Sequence, residues 1–150
     1  MSLDHEEIRR LSYTYTYLLD AGDFDGVTEL LGAGALRPVM RGVMGEPIVG
    51  ADAIREFYSD QVVTYDGDPR TRHIISNHII EVDGDDATGR SYFTVLIKPP
   101  GQDLQIVVSG QYHDRFSRIG STWAFSEKAI QVDYLGDIGL HFKIAESQRG

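Results

Sequence analysis

Two side chains in this sequence are suited to acid–base chemistry, and each stands at an unusual place. His73 sits at the start of a β-rich run, TRHIIS, next to Arg72. Imidazole is the side chain whose ordinary titration range brackets neutrality, so it suits proton abstraction near pH 7. Asp20 falls in the last turn expected of an N-terminal helix, shortly before Gly22. A carboxylate there faces the negative end of the helix dipole and gains nothing locally, so its role is expected elsewhere in the fold. Metal chemistry fits the spacing poorly. His73 and His78 are an odd number of residues apart, and a regular strand points such residues to opposite faces. His113 and Asp114 are adjacent and diverge likewise, while His5 and His141 lie near the two ends of the chain. No metal centre is expected. The absence of cysteine excludes thiolate zinc sites, cysteine nucleophiles and a disulfide framework together.

The elements that must position these residues follow from periodicity. Ile8, Leu11, Tyr15, Leu18 and Leu19 recur at helical spacing and predict a helix over about 4–20, with Asp4 and Glu7 as a capping pair. A short helical stretch over 23–31 follows, then two extended pieces over 35–49 with a turn near Gly42 or Gly45. A third helix is predicted from about 50–52 to Tyr65. Residues 71–97 read as a hairpin: β-branched and aromatic runs flank Asp83-Gly84-Asp85-Asp86, where Gly84 is free to take a positive φ. This hairpin is expected at the centre of the sheet. A long strand over 104–118, with a bend at Gly110, and a last strand over 123–134 complete the chain. The tail from Leu135 carries no clear pattern.

Helices first and a meander of long, bent strands after them predict a single α+β domain: N-terminal helices packed in the concavity of a strongly curved mixed sheet, with a cavity between. Apolar or amphipathic residues on inward-facing elements, Met40, Phe57, Tyr58, Tyr92 and Val132, are the candidates to line that cavity and bind a small hydrophobic molecule. Tyr13, Tyr15 and Tyr17 fan around one helix, so they cannot all be core.

The net charge of −9 argues against a nucleic-acid partner, since phosphate binding needs a basic face. No apolar run approaches membrane-spanning length, and the polar start, MSLDHEEIRR, reads as the opening of a helix. The expectation is a soluble, cytoplasmic protein that associates through its sheet, as a dimer.

The pattern of Tyr15 and Asp20 in YTYLLDAGDFDGV, His73 in TRHIISN, then ATGRSYF and SGQYHDRFSRIGSTWAF resembles the SnoaL-like branch of the NTF2-like cone fold over about 4–134. That branch includes scytalone dehydratase, bile-acid dehydratase and hexachlorocyclohexane dehydrochlorinase. The resemblance implies that Asp20 and His73 form a dyad, with Tyr15 matching a helix tyrosine of the bile-acid relative. It also exposes departures. Where relatives carry a second polar group on the following strand, this chain has about Val95 and Ile97, and an arginine of the last strand falls near Val132.

In such a dyad the carboxylate fixes the imidazole tautomer and supports its cation, leaving the other nitrogen to take a proton. Tyr15 would donate to a developing oxyanion or a leaving group. The resemblance thus implies a lyase or isomerase, such as a dehydratase, that needs no cofactor and acts on a hydrophobic cyclic substrate of the polyketide, steroid or terpenoid class. Two alternatives stand beside it: a non-catalytic ligand-binding or accessory subunit of the same fold, and an epoxide or ester hydrolase.

Overall fold

The computed structural model describes residues 3–40 and 42–143; the side chain of Met40 is outside that description. Three helices, α1 (Leu3–Asp20), α2 (Phe24–Leu31) and α3 (Ala51–Gln61), pack on seven strands. The strands are β1 (Ala35–Met40), β2 (Val43–Met44), β3 (Ile48–Val49), β4 (Thr71–Asp83), β5 (Asp86–Ile97), β6 (Gln105–Ile119) and β7 (Thr122–Leu135), with a 3₁₀ turn at Ile138–Leu140. The sheet runs β2-β1-β7-β6-β5-β4, with β3 paired to β1 off that path. The β1–β7 pairing is parallel and every other pairing antiparallel, so the α+β fold is built on a mixed sheet.

The β4–β5 hairpin forms as its residues dictate, with Gly84 at φ 63° in the turn. It is not central, however. Because β1 joins the sheet beside β7, the middle falls to β6 and β7, and β4 becomes an edge. An edge strand exposes unpaired backbone donors, and here α1 lies against it. That placement brings the end of α1 to the start of β4.

Register shifts bend the sheet around the helices. They fall at Ser76/Ile79, Val95/Leu96, Ser109/Gly110 and Arg115/Phe116. At Gly110 a Cβ would lie 2.0 Å from the Gln131 carbonyl oxygen, so only glycine permits that approach of β6 to β7. The bulge at Ser76/Ile79, with Asn77 at φ 54°, also resets the side-chain alternation of β4. His73 and Ile75 face the helices before it, and His78, Ile80 and Val82 after it. Opposite faces for His73 and His78 are therefore wrong, because the odd spacing is absorbed by the extra residue.

Two further corrections concern helix ends. Asp4 lies inside α1, which begins at Leu3, and it and Glu7 reach across to the sheet: Asp4 accepts from Trp123 Nε1 and the Arg118 guanidinium, and Glu7 accepts from the Trp123 N–H. They pin the start of α1 to the β6–β7 turn. Helix α3 stops at Gln61, four residues short of Tyr65, because Val62 turns extended and bridges to Phe142. The Val63 N–H donates to the His141 carbonyl and the Lys143 N–H to that of Gln61. The C-terminal segment thus closes over the space between α3 and the sheet. Among the described residues no helix is long and apolar enough to cross a membrane.

Candidate active site

Asp20 does find its partners on β4. Its Oδ1 accepts from His73 Nδ1 at 2.5 Å and from Thr71 Oγ1 at 2.9 Å, and its Oδ2 accepts from the His73 backbone N–H at 2.9 Å. The last bond uses an edge donor that no neighbouring strand can reach. One carboxylate therefore fixes both the backbone and the ring of His73. Since a carboxylate only accepts, the proton of the imidazole sits on Nδ1 and Nε2 is left as the basic atom.

His73 forms part of the wall of an apolar cavity of about 120 Å³ between the helices and the sheet. Of the cavity candidates, Phe57, Tyr58 and Val132 line it, and Tyr15 lines it with them. Val95 is there too, so the strand after β4 offers a methyl-lined wall where a polar group would be needed to replace the missing one. Ile97 is buried in the core beyond it. Tyr92 is not in the cavity: β5 buries Ala87, Ser91, Phe93, Val95 and Ile97, and Tyr92 lies on the other face, 52% exposed. The strand period of two overrules its amphipathic character. Met40 ends β1, and its side chain lies outside the described residues.

The polar atoms of this apolar space are few. Tyr15 and Tyr58 share a hydrogen bond of 2.7 Å between hydroxyls. Burial pushes both well above the usual phenol range, so both remain protonated donors. One proton is used between them and the other is free for a ligand. Tyr112, stacked on Phe93 at 4.4 Å, adds a third ring.

His141 is the component that sequence reasoning missed. It comes from the unassigned tail, is 4% exposed and sits edge-on to His73 with ring centroids 5.4 Å apart. Burial pushes its imidazole down to about 3, with His73 adding to the shift and Asp20 opposing it. It is therefore neutral in the folded protein near pH 7. The signal was present in the run IGLHF, an apolar patch within an otherwise polar tail. Ile138 and Phe142 now line the cavity, and Tyr65 donates to the Leu140 carbonyl.

On its other side the dyad borders a wider polar groove between α1 and β4, flanked by Arg70, Arg72 and Lys98. The imidazole thus stands between an apolar chamber and a solvent-facing channel. Among the described residues no three His, Asp or Glu side chains are grouped to hold a metal ion.

Known proteins were compared with this geometry. A Mycobacterium tuberculosis protein of unknown function is 27% identical, covering 90% of this chain and 75% of its own, with a TM-score of 0.72. The β subunit of a provisionally assigned aromatic-ring-hydroxylating dioxygenase from Novosphingobium aromaticivorans is 17% identical, covering 95% and 97% with a TM-score of 0.74. A provisionally assigned scytalone dehydratase from the same organism is 20% identical, covering 90% and 87% with a TM-score of 0.68. At such identities the last two share the fold. No curated protein matches. The SnoaL-like domain profile matches residues 1–129, most of the chain and all three helices, and the chain belongs to the SnoaL-like family.

Proposed function

We propose that this protein is a cofactor-independent lyase or isomerase in which the His73–Asp20 dyad abstracts a proton from a hydrophobic cyclic substrate. The observation that carries the reading is the 2.5 Å contact between His73 Nδ1 and Asp20 at the wall of an otherwise apolar cavity. Nε2 takes a proton from a carbon of the substrate. The C–H electron pair then forms a double bond to the adjacent carbon, either expelling a leaving group or passing charge to a conjugated oxygen. The free donor of the Tyr15–Tyr58 pair hydrogen-bonds that developing negative charge. Asp20 stabilises the imidazolium that results. The dimensions favour a small ring, since an apolar cavity of about 150 Å³ admits benzene. A steroid-sized or polyketide-sized body would have to displace the 136–143 segment.

The test is turnover of a panel of activated cyclic substrates, β-hydroxy ketones and β-halogenated rings, by wild type and His73→Ala. Conversion by the wild type alone supports the reading. Equal rates for both would remove the dyad from the mechanism.

A second reading, a non-catalytic accessory subunit, and the expected dimer both draw on one feature. Ile74, Tyr92, Ile106 and Tyr134 are exposed on the outer sheet face, linked by the register Ile74–Thr94–Ser109–Tyr134. We place dimer formation there. Sedimentation of Tyr134→Lys against wild type tests it, a dimer being split by the charge.

A further inference from the structure

His141 lines the cavity, and one of its ring nitrogens is satisfied by no protein group among the described residues. Nδ1 of His141 is buried and has no hydrogen-bond partner among the described residues. An unmade hydrogen bond in such a place is costly, so it is expected where a ligand completes it. The neighbouring imidazole cannot serve, since His73 gives its Nδ1 to Asp20 and meets His141 edge-on. The Tyr15 and Tyr58 hydroxyls bond each other and not His141.

The segment that delivers His141 is held independently of its side chain. Its backbone accepts from Val63 N–H at 2.8 Å and donates to the Ile138 carbonyl at 2.9 Å, and Phe142 bridges to Val62. The ring is therefore held in the cavity by a docked backbone, while its own nitrogen remains unpaired.

We propose that His141 is a ligand-contacting residue, its imidazole hydrogen-bonding a carbonyl or hydroxyl oxygen of a one-ring cyclic substrate while His73 faces the carbon that loses a proton. The proposal rests on the reading of the cavity as a substrate site, and it narrows the substrate to a small oxygenated ring. It also supplies, from the C-terminal segment, a polar group to a cavity whose wall is apolar at Val95. Held neutral by its burial, His141 offers one N–H and one lone pair, and so serves an oxygen that accepts or a hydroxyl that donates.

Phenol and toluene, equal in shape and differing in one oxygen, are the probes. Each is titrated into wild type, His141→Phe and His141→Gln, with the imidazole nitrogens of His141 followed by ¹⁵N NMR. Wild type should prefer phenol, and His141→Phe should cut that preference about three- to tenfold, the loss of one buried hydrogen bond. His141→Gln, which keeps a donor and an acceptor, should retain part of it. An imidazole nitrogen resonance of His141 should move with phenol and stay with toluene. An unchanged preference in both variants, a resonance indifferent to phenol, or exclusion of both rings from wild type would overturn the proposal. A wild type that converts no substrate, yet prefers phenol through His141, would sink the lyase reading and leave this one standing. Conversion that depends on His73 but is indifferent to His141→Phe would do the reverse.

Discussion

Two acid–base pairs lie near Tyr15, one against its ring and one at the wall of the cavity it lines, and they differ in what can reach them. Asp114 and Lys128 are both buried, with Nζ 3.2 Å from each carboxylate oxygen. Nζ also stands 3.6 Å from the Tyr112 ring centre and 4.5 Å from that of Tyr15. Burial pushes Asp114 up and Lys128 down, and each partner opposes the other's shift. The rings supply further attraction to the cation. Asp20 and His73 are also largely buried, but they open to a cavity on one side and a groove on the other. A charge pair sealed by aromatic rings holds elements together; one with an unblocked nitrogen can act on something that arrives. Access separates the two pairs more clearly than burial does.

The largest expected effect tests the open pair. Removing the imidazole in His73→Ala should lower turnover by about 10²–10⁴-fold, the contribution of a positioned base. The fold should survive, since Asp20 keeps its bonds to Thr71 and to the residue 73 N–H. Steady-state rates with circular dichroism check both halves.

The sealed pair should answer in stability. Lys128→Met leaves Asp114 buried without its cation and should cost about 3–5 kcal/mol, whereas Lys128→Met with Asp114→Leu should recover most of it. Urea unfolding of the three proteins measures this. If the double variant is as unstable as the single one, the pair holds more than its own charges.

Asp20→Asn falls between these cases. It keeps the size of the side chain but loses the charge and one acceptor, so its NH2 must face either the His73 backbone N–H or Nδ1; a hydrogen bond to an ionised group is worth about 1.5–3 kcal/mol. Turnover should drop about ten- to a hundredfold, less than in His73→Ala, with KM little changed. A loss equal to that of His73→Ala would mean that charge on the carboxylate is essential to the base itself.

Of this contrast the open pair was legible in the chain, and the sealed one was not. Periodicity placed α1, α2 and the four long strands within a residue or two, because their burial patterns are strong and local. The misfit of Asp20 at a helix end correctly signalled a partner elsewhere. What local patterns could not carry was pairing order. Nothing in residues 71–97 says that β1 will dock parallel to β7 and push β4 to the edge. Nor does the spacing of His73 and His78 reveal a bulge at Asn77. The tail was opaque for a related reason: its apolar residues are too few to show a period, and their contacts are with α3 and β6, far away in sequence. His141 was hidden by that.

The histidines add a pH test to the comparison. His141, pushed down to about 3, excludes in the folded state a proton that the unfolded chain binds below about 6.5. The unfolded state then binds more protons, so stability falls as pH falls from about 6.5 toward 3, at up to about 1.4 kcal/mol per pH unit. His78, lowered to about 4 by burial, by Arg9 and by Lys128, acts in the same direction. Unfolding free energies at pH 7, 6 and 5 should show a shallower slope in His141→Phe than in wild type. Equal slopes would mean that the segment lets the ring out before it titrates.

Tyr15→Phe should give the smallest effect, and it separates the two pairs most finely. The ring that faces Lys128 is kept, so the sealed pair should be undisturbed and urea unfolding should change by no more than the about 0.5–1.5 kcal/mol of one lost hydrogen bond. On the cavity side the hydroxyl pair becomes a single donor on Tyr58, which still lines the chamber. If Tyr58 is the hydroxyl that meets developing charge, turnover should fall only a few fold, through loss of the polarising neighbour, and Tyr58→Phe should cost more. If Tyr15 carries the free proton, the order reverses, and Tyr15→Phe should reduce kcat with little change in KM, as expected of a contact made in the transition state. Rates for the two single variants and the double variant, on one substrate, decide which hydroxyl faces the ligand. Losses that simply multiply in the double variant would show that the 2.7 Å bond between them plays no part in the chemistry.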